Sequence, residues 1–126
     1  MAERVIPAVP RAQVHDLRDG LRAAFAEEVA TRLPALREGL AAILSTGDPL
    51  VAREVVRHAH TLASSAAVLG EDLASQHARK CELLLVEQVD AGRPLPAEDL
   101  RAAAEHVATL EVLLAPWLTG PGHDVA

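Results

Sequence analysis

The amino-acid sequence predicts an all-α protein, an antiparallel up-down four-helix bundle. Half of the 126 residues are apolar, yet Phe25 and Trp117 are the only aromatic ones among Phe, Trp and Tyr. The core must therefore consist of Leu, Val, Ile and Ala, a composition that favours helices over aromatic-rich strands. Apolar residues also recur at spacings of three and four, the period of an amphipathic helix. Glycine and proline interrupt this pattern so that four helical segments remain.

The first helix is predicted to run to about Thr46 with an apolar line on one face. Gly20 permits a separate short helix over residues 11–19, and Pro34 removes a backbone hydrogen bond and predicts a kink. Residues 1–10 carry two prolines and predict an irregular N-terminal arm. The apolar line of this helix consists of Leu17, Leu21, Phe25, Val29, Leu33, Leu36, Leu40 and Ile43.

Three further helices follow, each with a start or stop signal. Asp48 before Pro49 is typical of a helix N-terminus, because the carboxylate accepts from free amides and proline at the first position loses no hydrogen bond. Gly70 is expected to end the second helix in the left-handed conformation, and Gly92 to end the third. The inward lines are Val55, Ala59, Leu62, Ala66 and Leu69, then Ala74, Ala78, Cys81, Leu85 and Val89, then Leu100, Ala103, Val107, Leu110, Leu114 and Trp117.

The connections between the predicted helices have two to six residues, which requires neighbouring helices to be antiparallel. The sequence thus predicts one bundle domain over residues 11–119. Residues 120–126, with glycine and proline at their start, are expected to form a flexible C-terminal tail.

The composition also restricts the partners that we expect. The formal charge of −6 and the absence of Tyr disfavour nucleic acid, which needs positive charge and aromatic stacking. The single cysteine, Cys81, cannot form an internal disulfide, and its inward position favours a small buried hydrophobe over a redox role. Because no signal peptide or apolar run of about 20 residues is present, we expect a cytoplasmic protein without a membrane partner.

The histidines do not have the spacing of a metal site. His58 and His60 are two residues apart on one helix and point in different directions, while Glu54 and His58 fit a surface pair one turn apart. The other four, which show no ligand spacing, are His15, His77, His106 and His123. No glycine loop for phosphate and no serine elbow is present either. The sequence therefore predicts no metal, no cofactor and no self-contained catalytic site.

His60 is predicted to be exposed and surrounded by small side chains. It follows the core position Ala59 by one residue, about 100° around the helix. One to two turns further on, the same stripe carries Ala63, Ser64 and Ala67, so that a partner could approach the imidazole closely. His58 has Thr61 and Leu62 one turn on instead.

The run from His60 to Gly70 resembles the phosphorylation motif of histidine-containing phosphotransfer (HPt) domains, His-x-Leu-Lys-Gly-Ser-Ala with a glycine ten after the histidine. The residues that match the motif itself are His60, Leu62, Ser65, Ala66 and Gly70. The resemblance extends over about Leu17 to Leu118. The matching residues outside the motif are Phe25, Gly47, Asp48, Leu73, Cys81, Leu83 and Leu84.

Two motif positions differ from the family. Ala63 and Ser64 stand where the family usually has lysine and glycine, and that lysine is thought to hold the phosphoryl group. Antiparallel packing around Gly70 is expected to bring Gln76 to Lys80 beside His60, so that either Arg79 or Lys80 supplies the cation. A lysine introduced at position 63 is expected to speed transfer, because it places a cation one turn from the imidazole; no gain would mean that another cation already fills this role.

The resemblance implies that His60 is the phosphoacceptor and that it exchanges phosphate with an aspartate of a response-regulator receiver domain. A sensor or hybrid histidine kinase is the implied source of phosphate, and the receiver is expected to bring the Mg²⁺. A neutral imidazole nitrogen is a sufficient nucleophile for this reaction. Two alternatives are a receiver-binding adaptor that has lost transfer and a helical interaction module unrelated to signalling.

Overall fold

A computed structural model of the chain describes residues 11–119, which form four α-helices. These are α1 Arg11–Thr46, α2 Pro49–Val68, α3 Asp72–Asp90 and α4 Ala97–Thr119. Helix α1 packs against α2 and α4, and α3 packs against α2 and α4, which is the cyclic contact order of an up-down bundle. The prediction of an all-α four-helix bundle is confirmed. The predicted arm, 1–10, and tail, 120–126, lie outside the described residues.

Helix α1 runs without a break through Gly20 and Pro34. Gly20 does not separate a leading helix, and Pro34 is accommodated within the helix. The prediction that Leu17 and Leu21 belong to the core is wrong, since they are 64% and 52% exposed. The buried line of α1 begins only at Phe25, which contacts Trp117 near the end of α4 edge-to-face. Leu17 and Leu21 lie on the part of α1 that precedes this contact, and both side chains are exposed.

Apart from Phe25 and Cys81 the core is aliphatic, and none of the polar or charged residues in the described part of the chain is fully buried. Cys81 is buried there, and burial raises the pKa of its thiol to about 12, so it packs as the small hydrophobe that the sequence predicted. The largest fully buried side chains are Phe25, Leu36, Leu62, Leu85, Leu110, Leu114, Val29, Val55 and Cys81.

The connections set the register between the helices. The Asp48 carboxylate accepts a hydrogen bond from the Leu50 amide at 2.9 Å, as the capping prediction required. Gly70 has a φ of 75° and Gly92 a φ of 67°, the left-handed region that glycine adopts most easily. The three-residue connection between α2 and α3 places these helices side by side. None of the helices in residues 11–119 is long and apolar enough to cross a membrane.

Candidate functional site

His60 lies on the flank of α2 that faces α3. Its side chain is 58% exposed, while the preceding residue, Ala59, is fully buried. The prediction that His60 is accessible at the edge of the core-facing surface is therefore confirmed. The buried residues of α2 are Ala52, Val55, Ala59, Leu62, Ala63 and Ala66.

A carboxylate on α3 contacts the His60 ring. Glu82 Oε2 lies 2.8 Å from Nδ1 of His60. Because a carboxylate only accepts hydrogen bonds, Nδ1 carries a proton and donates it. In the uncharged form of the ring the lone pair is then on Nε2. The other oxygen of Glu82, Oε1, is buried without a hydrogen-bond partner among the described residues. The contact thus fixes both the orientation and the tautomer of the histidine.

The surroundings predicted for His60 are correct at Ser64 and Ala67 and wrong at Ala63. Ser64 and Ala67 are exposed, and the Ser64 hydroxyl donates to the His60 carbonyl oxygen one turn back at 3.1 Å. Ala63 is only 2% exposed, because α3 packs directly over it. The Ser75 hydroxyl of α3 donates to the Ala63 carbonyl oxygen at 2.8 Å. The predicted gain in transfer from a lysine at position 63 assumed an exposed side chain there, whereas Ala63 is buried.

The positions predicted on α3 are only partly beside His60. Arg79 lies four residues after Ser75 and three before Glu82, and both of those side chains contact α2. Arg79 therefore shares their stripe and is exposed at its edge. Gln76 and Lys80 are exposed one position further round the helix, away from α2. Of the two cations that the sequence left open, Arg79 is the one on the His60 side.

His58 occupies the opposite flank of α2, against α1. Arg32 Nη1 donates to His58 Nδ1 at 2.8 Å, and Arg32 also pairs with Glu28 on its own helix. Burial and the charge of Arg32 lower the pKa of His58. The predicted surface pair with Glu54 is wrong, because the Glu54 carboxylate binds Arg57. One ring nitrogen of His58 is thus occupied by a cationic donor.

Sequence reasoning missed Glu82, which lies 22 residues after His60 on another helix. The sequence did contain a signal for Glu82, because α2 and α3 are antiparallel and joined at Gly70. His60 lies ten residues before Gly70, so it lies beside the residue ten after it, position 80. The ionisable residues near position 80 that face α2 are Arg79 and Glu82. The helical phase of α3, set by its buried line, distinguishes them from Gln76 and Lys80.

The structure also brings together two histidines that the sequence treated as unrelated. Nδ1 of His77 on α3 and Nδ1 of His106 on α4 are 3.0 Å apart. Burial, and then the neighbouring His77 and Lys80, lower the pKa of His106. Within residues 11–119 no group of three or more His, Cys, Asp or Glu side chains is placed to hold a metal ion.

The four-helix bundle and the exposed histidine on its second helix are the features that the resemblance to phosphotransfer domains predicted. The family model described as Hpt domain matches residues 20–115, most of the chain. The chain belongs to the Hpt domain family. Comparison with curated proteins and with solved structures finds no significant match. Hpt domains as a class act in phosphorelays with receiver domains and kinases, which favours the two signalling interpretations over a helical module unrelated to signalling.

Proposed function

We propose that His60 accepts a phosphoryl group and exchanges it with an aspartate of a response-regulator receiver domain. The observation that carries this proposal is the hydrogen bond between His60 Nδ1 and Glu82, at 2.8 Å. It leaves Nε2 as the nucleophile, and the exposure of the ring, 58%, leaves room for a partner. Exchange with response regulators and with a sensor or hybrid kinase would take place in the cytoplasm.

In the proposed reaction the Nε2 lone pair attacks the phosphorus of an aspartyl phosphate. The N–P bond forms as the P–O bond to the aspartate breaks, and the electron pair leaves with the aspartate carboxylate. Nδ1 keeps its proton toward Glu82, whose negative charge offsets the positive charge that the imidazole gains. The reverse transfer breaks the N–P bond and restores the neutral ring. The acceptor aspartate and the Mg²⁺ belong to the receiver partner.

Arg79 is the best candidate to replace the lysine that the family carries at the position of Ala63. It is exposed on the stripe of α3 that also carries Glu82. A guanidinium group presents several donors in a planar fork that suits phosphate oxygens. A long side chain at the edge of α3 can reach phosphate on Nε2 from the side, while α2 itself contributes only small side chains there.

The second candidate function is a receiver-binding adaptor without transfer. The observation that favours it is Ala63, which is buried and uncharged where the family carries a lysine. Docking needs only the shape of the α2–α3 face, whereas transfer also needs a cation near the phosphoryl group.

Phosphotransfer assays distinguish these two functions. Receiver domains from the same organism, phosphorylated with a radiolabelled small phosphodonor in the presence of Mg²⁺, are incubated with the full chain. Transfer predicts label on the chain that is labile in acid and stable in base, with an equal loss from the receiver. A receiver that binds the chain without passing label would instead establish the adaptor function.

A further inference from the structure

The contact between His77 and His106 plays no part in the proposed phosphotransfer. His77 lies on the side of α3 that faces α4, whereas Glu82 lies on the side that faces α2. The two Nδ1 atoms are 3.0 Å apart, and the rings are tilted by 47° with their centroids 5.2 Å apart. Both residues are partly exposed. The pair therefore lies at the margin of the contact between α3 and α4 and not in the core.

We propose that His77 and His106 form a two-histidine site for a divalent late first-row transition-metal ion. Imidazole nitrogen is a preferred ligand of Cu²⁺, Ni²⁺ and Zn²⁺. Two nitrogens about 2.0 Å from one metal lie about 2.8 Å apart at a right angle and about 3.3 Å apart at a tetrahedral angle. The separation of 3.0 Å falls between these values, nearer to the right angle. The spacing thus permits one ion held by both rings once the ion displaces the proton that the two nitrogens share in their hydrogen bond.

The metal preference follows from the ligand type. The Irving–Williams order places Cu²⁺ above the other divalent ions for nitrogen ligands. We therefore expect Cu²⁺ to bind most tightly, with Ni²⁺ and Zn²⁺ weaker.

The site is expected to be exchangeable rather than structural. Two protein ligands leave the remaining positions to water, whereas structural zinc sites use four protein ligands. Lys80 lies close enough to His106 for its charge to act on that ring, and it repels a cation there. Because one ligand comes from α3 and the other from α4, the ion would bridge two helices and stabilise the folded chain.

The test is metal binding by the full chain, measured by titration calorimetry and by thermal unfolding with Cu²⁺, Ni²⁺ or Zn²⁺ chloride. We expect one ion per chain and a rise in Tm of about 10 °C at a metal concentration of 100 Kd. The electron paramagnetic resonance spectrum of bound Cu²⁺ should show nitrogen coupling. His77→Ala and His106→Ala should each weaken binding at least tenfold, while His15→Ala, an exposed histidine on α1, should leave it unchanged.

Two further variants keep the proposal testable if an alanine variant fails to fold. His106→Gln preserves a hydrogen-bonding group but removes the imidazole ligand, so binding should still be lost. Lys80→Ala removes a positive charge and no ligand, so it should tighten binding about three- to tenfold. Unchanged binding in the His77 and His106 variants, or no binding of any of the three ions, would overturn the proposal. The contact between the two rings would then be only a hydrogen bond. None of these readouts depends on phosphotransfer at His60.

Discussion

The carboxylate of Glu82 lies 2.8 Å from Nδ1 of His60 and is much less exposed than the ring that it contacts, 13% against 58%. A carboxylate held in this way has little freedom to turn toward water. It therefore positions an exposed imidazole from the buried side and leaves the outer nitrogen, Nε2, free to react.

The first prediction concerns Glu82 as a positioning residue. Glu82→Ala removes the acceptor for the Nδ1 proton, and we expect the rate of phosphotransfer to fall by about 10- to 100-fold. Glu82→Gln keeps an amide oxygen as the acceptor but loses the negative charge. Its rate of phosphotransfer should therefore lie between those of the wild type and Glu82→Ala. Nitrogen chemical shifts of the His60 ring should show that the alanine variant no longer favours the tautomer with the proton on Nδ1. Glu87→Ala, an exposed position on the same helix, is the matched control. A wild-type rate in Glu82→Ala would contradict the role assigned to this carboxylate.

The second prediction concerns the buried position of Ala63. Ala63→Lys inserts a long charged side chain between α2 and α3, which should lower the free energy of unfolding by about 1 to 3 kcal/mol. Urea denaturation measures the change. Ser64→Lys, at an exposed position, should stay within about 0.5 kcal/mol of the wild type. Equal stability of the two variants would mean that position 63 faces solvent.

The third prediction compares the two cations on α3. Arg79→Ala should slow phosphotransfer at least several-fold, because it removes the positive charge beside the α2-facing stripe. Lys80→Ala should transfer at the wild-type rate, since Lys80 lies on the far side of that stripe. Both side chains are exposed, so circular dichroism should show both variants folded. A loss of transfer in Lys80→Ala with none in Arg79→Ala would reverse this assignment.

The fourth prediction concerns the docking face around Ala67, which is exposed two turns beyond His60. Ala67→Glu should fold normally, since glutamate is a good helix former in water. It should weaken receiver binding and transfer together, because a receiver's phosphorylation pocket is acidic and repels a second carboxylate. Ala67→Ser should change neither, and Ala104→Glu on α4 controls for net charge. Normal receiver binding by Ala67→Glu would place the docking surface elsewhere.

The helices and the exposed histidine could be predicted because they depend on local signals. The apolar period, the Asp48 cap and the left-handed Gly70 each act within a few residues of the chain. The error at Ala63 has a different origin. The spacing of apolar residues identifies the centre of a helix's buried face but not how far around the helix that face extends. Helix α2 packs against both α1 and α3, so its buried face is wide. Small residues on a flank can mark an open surface or a closely packed helix, and here α3 covers Ala63.

The partners of the histidines depend on the register between helices, which periodicity within one helix does not contain. His60 meets Glu82 across α2 and α3, His58 meets Arg32 across α1 and α2, and His77 meets His106 across α3 and α4. Ion pairing within a helix was the simpler expectation for His58, but the Arg32 guanidinium on the facing helix occupies its ring nitrogen instead.

The most direct measurement is the identity of the labelled histidine after phosphotransfer from a receiver domain. His60→Gln should abolish the acid-labile label while its helicity and Tm stay close to those of the wild type, because the glutamine amide at this exposed position can still donate a hydrogen bond to Glu82. His58→Gln should keep the label, since that ring is bound to Arg32 on the opposite flank of α2. Label retained in a folded His60→Gln variant, or lost only in His58→Gln, would contradict the assignment of His60 as the phosphoacceptor.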